Sequence, residues 1–127
     1  MNPDPERRTK WKIPRPEGWV ILLLTVVVPG ILLLTLSPQG AERSLGIHPL
    51  CFACGHAPLA NIARNIILFL PFGFLLGRWL GWATPVLLVS MALSAGIELA
   101  QTRIPGRNPL VIDVLANGTG GWLGGLL

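Results

Sequence analysis

Residues 19–36 read WVILLLTVVVPGILLLTL, inside a run from 18 to 41 that holds no charged side chain. Two further uncharged runs, 79–97 and 114–127, follow in a chain of 127 residues that is 51% apolar and 13% charged. A soluble domain carries about 25% charged residues. One this short could not hide such runs, because its surface would be largely Leu, Val and Gly. Disorder is excluded by the same figures, since it requires low hydrophobicity and high net charge. The net charge of +4 does not read as nucleic-acid binding either. Half of the basic residues (Arg7, Arg8, Lys10, Lys12, Arg15) lie in the first fifteen positions, outside any helix that could enter a groove. The fold class is an all-α membrane protein, with membrane lipids as its surroundings and no nucleic-acid partner.

A bilayer core about 30 Å thick needs about 20 apolar residues at 1.5 Å per residue. Four spans are expected, at about 19–36, 59–82, 84–101 and 111–127. Pro29-Gly30 should kink the first. Only 13 residues separate Arg64 from Arg78, too few to span, so the second helix must carry both arginines near its ends, snorkelling to the interfaces. Pro71 is its expected kink, and Pro85 suits the first turn of the third. Residues 1–17 read as a basic, Pro-rich, disordered tail, and 18–127 as one transmembrane domain without an internal repeat. The first span is longer than the apolar region of a secretory signal and no Ala-x-Ala site follows it, so it is expected to remain as a helix.

The tail and Arg78 place six basic residues on one side of the membrane, against Arg43, Arg64, Arg103 and Arg107 on the other. The positive-inside rule then sets both termini in the cytoplasm and the 38–58 and 102–110 loops outside.

Polar side chains within spans are costly and mark either function or interhelical glue. Here they gather at one end. Asn61, Arg64 and Asn65 share a face at the start of the second helix. The third helix returns to that side with Glu98, Gln101 and Arg103; the loop adds Arg107 and Asn108; the fourth starts inward with Asp113 and Asn117. Two readings stay open. One is a structural network, in which Glu98 and Asp113 neutralise arginines and hold three helices together. The other is a polar pocket at the outer leaflet that meets a lipid headgroup or an envelope substrate.

In the fourth helix Gly120/Gly124 and Gly121/Gly125 form two overlapping Gly-x-x-x-Gly pairs, which let membrane helices approach closely. They must dock on helix two or three, or on another copy, giving a homo-oligomer. The loop HPLCFACGH sets His48, Cys51, Cys54 and His56 within nine residues. A disulfide or free thiols, a zinc site and redox exchange are the alternatives there. Zinc is the one cofactor the chain suggests.

Taken together, NIILFLPFGFLLG (65–77), SAGIELAQ (94–101), Arg107 and DVLANGTGGWLGGLL (113–127) resemble the VanZ-like family of small bacterial membrane proteins. The positions that carry the resemblance are Asn65, Phe69, Pro71, Phe72, Gly73, Ser94, Glu98, Gln101, Arg107, Asp113, Asn117 and Gly120. The resemblance implies a multi-pass protein of the bacterial cytoplasmic membrane, associated with resistance to teicoplanin-type glycopeptides. Its partners would be cell-wall lipid intermediates or glycopeptides. The polar cluster shows no clear activated Ser, His or Cys, so a non-catalytic role leads. A small membrane enzyme acting on a lipid-linked phosphate or glycan, and an oligomeric transporter, are the alternatives.

Overall fold

A computed structural model describes residues 13–38 and 58–127, all helical or irregular. Four helices follow in chain order: α1 (Gly18–Leu36), α2 (Pro58–Leu80), α3 (Ala83–Gln101) and α4 (Val111–Leu126). Each lies within two residues of the boundaries read from the sequence. The His48, Cys51, Cys54 and His56 cluster lies outside the described residues.

Local chemistry explains the ends. α2 stops at Gly81, whose φ of 72° is the left-handed conformation that closes a helix, with its N–H donating to the Gly77 carbonyl at 2.8 Å. α3 begins directly afterwards with Pro85 in its first turn. The α3–α4 connection turns at Gly106, φ 78°. Both internal prolines lie on exposed faces, and α1 and α2 run unbroken through Pro29 and Pro71.

α1, α2 and α3 are long and apolar enough to cross a membrane. They expose Leu22, Val26, Leu33, Ile67, Leu88 and Leu99, which in a bilayer face acyl chains. α4 has only 16 residues, about 24 Å of helix, shorter than a full span. It compensates by burying Ala116, Asn117, Gly118, Gly120, Gly121 and Gly124 against its neighbours.

The helices run up, down, up, down. α2 and α4 are parallel and in register: Gly73 meets Gly121 and Gly77 meets Gly125, each pair 48 positions apart. A Cβ on Gly73 would lie 2.1 Å from the Gly121 carbonyl oxygen, and one on Gly124 would lie 2.2 Å from that of Leu70. Backbone therefore rests on backbone. α3 runs antiparallel along the other side of α4, with Ser90 against Gly121 and Val86 against Gly125. The glycines of α4 are thus taken up by α2 and α3 of the same chain; contact with a second copy would fall to the exposed face of Val111, Leu115, Trp122 and Leu126.

The largest buried side chains sit on the α1 side of this core. Phe69 and Phe72 pack edge to face with centroids 5.8 Å apart, joined by Ile31, Leu76, Val86 and Ile97. α1 contributes Leu24, Val27, Val28, Leu32 and Leu36 around them.

Candidate functional site: a polar ladder at one end of the bundle

The register of α2, α3 and α4 stacks their inward residues in layers four positions apart. The outermost layer holds Asn65, Glu98 and Asp113. The Asn65 amide donates to the Asp113 carboxylate, and Glu98 and Asp113 are close enough to repel each other. Arg107 attracts both carboxylates, and Arg64 attracts Asp113. Beneath lie buried Phe69, Ser94 and Asn117, with the Asn117 Nδ2 donating to the Ser94 Oγ at 2.7 Å. The third layer is Gly73, Ser90 and Gly121, and the fourth Gly77, Val86 and Gly125. Polarity falls from the ionic first layer to the apolar fourth, and glycine fills the α2 and α4 positions of the last two layers, so these two helices approach backbone to backbone there.

The outer layer is wired to the loops and to α1. A Glu98 oxygen, Oε2, accepts from the Leu110 backbone N–H at 2.8 Å, fixing the residue that precedes α4. Gln101 is buried and donates from Nε2 to the Thr35 carbonyl at 2.8 Å. Arg107 donates from Nε to the Ser37 carbonyl and from a terminal guanidinium nitrogen to that of Leu34, both at 3.1 Å. The last carbonyls of a helix have no partner within it, and the C-terminus carries partial negative charge. A cation and an amide therefore cap α1 from a distance in sequence.

These contacts divide the residues singled out from the sequence. Asn65, Glu98, Gln101, Arg107, Asp113 and Asn117 come together, and each has a role in joining helices. Asn61, Arg64 and Arg103 are at the same end but exposed. Gly120, Gly121, Gly124 and Gly125 face α2 and α3. Three participants escaped the sequence reading: Ser90, Gly77 and the end of α1. Ser90 and Ser94 at i, i+4, and Gly73 and Gly77 at the same spacing, were the available signals. The carbonyls of α1 had none, because main-chain acceptors do not show in a sequence.

Two buried oxygens, Ser90 Oγ and Asn117 Oδ1, have no hydrogen-bond partner. Among the described residues no three His, Cys, Asp or Glu side chains group as metal ligands.

A family model, VanZ/LLP1, matches residues 19–127, which takes in all four helices. No curated protein and no solved structure matches the chain.

Proposed function

The chain belongs to the VanZ/LLP1 family, and on that premise we propose that it serves the bacterial cell envelope by altering access to lipid-linked cell-wall intermediates, and so lowers susceptibility to teicoplanin-type glycopeptides. The supporting observation is the meeting of Glu98 and Asp113 beside Arg107 and the exposed Arg64, over a ladder of buried polar groups. A site with arginines at its rim suits a phosphate-bearing headgroup, because guanidinium groups bind phosphate through paired hydrogen bonds. The orientation that goes with this reading sets both termini in the cytoplasm and the ladder's ionic end at the outer leaflet. The basic tail ahead of α1 supports it.

The test is a deletion strain screened against a panel of envelope-active antibiotics and complemented with variants. The wild-type chain should restore glycopeptide tolerance. Glu98→Gln and Asp113→Asn chains, present in the membrane at equal abundance, should restore less. Equal restoration by all three would count against the reading.

A second reading rests on the paired carboxylates. Two close carboxyl groups in a part-buried setting can divide acid and base roles, which suits an enzyme acting on a lipid-linked phosphate. Turnover of undecaprenyl-type phosphates by the purified protein, lost in Glu98→Gln, would favour it over a non-catalytic role.

A further inference from the structure

The opposite end of the bundle has a chemistry of its own. Residues 13–17 run extended into α1 and are strapped to the end of α2: the Trp79 indole N–H donates to the Pro14 carbonyl at 2.9 Å. The Arg78 guanidinium lies 3.9 Å from the Glu17 carboxylate, with about half of its side chain still exposed. The Trp19 indole also donates to Glu17. These contacts bring the segment carrying Arg15 to the end of α2 that carries Arg78, both arginines being exposed, with Trp19, Trp79 and Trp82 at the same end of the bundle. Ile13 is 68% exposed on the same strap. The tryptophans among the described residues, those at 19, 79, 82 and 122, all belong to the half of the bundle that contains this corner, and the chain has no tyrosine.

Indole rings settle at headgroup level, where an apolar body meets a polar rim. Arginines held at that depth lie among lipid phosphates. Glu17 offsets only one of the two. The corner thus carries net positive charge at the depth where headgroup charge is most strongly felt. We propose that the strap and the end of α2 form an anionic-phospholipid site, in which Arg15 and Arg78 hold one headgroup phosphate while Ile13 and Trp82 rest on its acyl chains. This site is at the far end from the carboxylate ladder, so it stands whether or not the ladder serves glycopeptide tolerance.

The full chain, purified from an equal mixture of phosphatidylglycerol and phosphatidylcholine, is analysed by native mass spectrometry for the lipid it retains. Wild type should retain phosphatidylglycerol in excess. Replacing both arginines (Arg15→Gln with Arg78→Gln) should cut that excess by about fivefold for each charge removed. Arg15→Lys with Arg78→Lys should keep most of it, and Arg103→Gln, an exposed arginine at the other end that the proposed function does not use, should leave it unchanged. Circular dichroism on every variant establishes that the helices are intact. The proposal is overturned if wild type shows no excess, if the first double variant keeps it in full (the preference then belongs to residues 1–12), or if Arg103→Gln removes it instead.

Discussion

At the scale of single residues, the core is governed by what a side chain would collide with. Gly73→Ala sets a methyl group 2.1 Å from the Gly121 carbonyl oxygen, a backbone atom that cannot yield without moving α4. The expected loss is at least about 1–3 kcal/mol of stability in detergent, read as a lower thermal midpoint. Gly96→Ala is the control: nothing lies within 4 Å of its added Cβ, so the midpoint should hold or rise. The two serines of α3 should also differ. Ser94→Ala removes the hydrogen bond from Asn117 and should destabilise by about 0.6 kcal/mol. Ser90→Ala removes a buried hydroxyl without a partner and should be neutral or stabilising. A midpoint that falls more for Ser90→Ala than for Ser94→Ala would contradict this ranking. Spacing in the sequence puts both serines on one face but cannot rank them, because the difference lies in Asn117 on another helix.

Among the elements, α1 stands apart. It is the most apolar helix, buries only Val20, Ile31 and Thr35, and is held at its end by donors from elsewhere in the chain. Gln101→Ala combined with Arg107→Ala should free the carbonyls of Leu34, Thr35 and Ser37. Hydrogen exchange should then speed up in the last turn of α1, while α2 and α4 remain as protected as in wild type. Equal loosening of all four helices would show that these residues hold the whole bundle rather than α1. The sequence made the helices legible because lipid imposes length and apolarity on each span. It marked Gly120, Gly121, Gly124 and Gly125 as a packing face for the same reason. The surface they meet was less legible, since Gly73 and Gly77 sit among Phe and Leu in LFLPFGFLLG and reveal their purpose only once aligned with α4. Likewise the cluster at Glu98 and Asp113 followed from hairpin geometry, whereas the capping task of Gln101 and Arg107 required the end of α1 to be in view.

For the whole molecule, the alternation of helix directions brings Gly18 and Leu126 to the same end. Reporter fusions before residue 18 and after residue 127 should therefore report one compartment, and the basic tail predicts that it is the cytoplasm. Opposite signals from the two fusions would contradict the helix order itself. The glycine register of α4 also bears on how the protein is made. With 16 residues carrying Asp113 and Asn117, α4 is a poor candidate for entering the bilayer unaided. Its backbone fits only the groove that α2 and α3 provide, and the ribosome delivers α4 after both. Membrane entry of α4 should therefore depend on a completed α2–α3 hairpin: in a translation–insertion assay, an acceptor site placed beyond α4 should report integration when the hairpin precedes it and failure when α4 is presented alone. Synthesis order thereby becomes part of the folding code, with the first helices acting as the template on which the weakest is received.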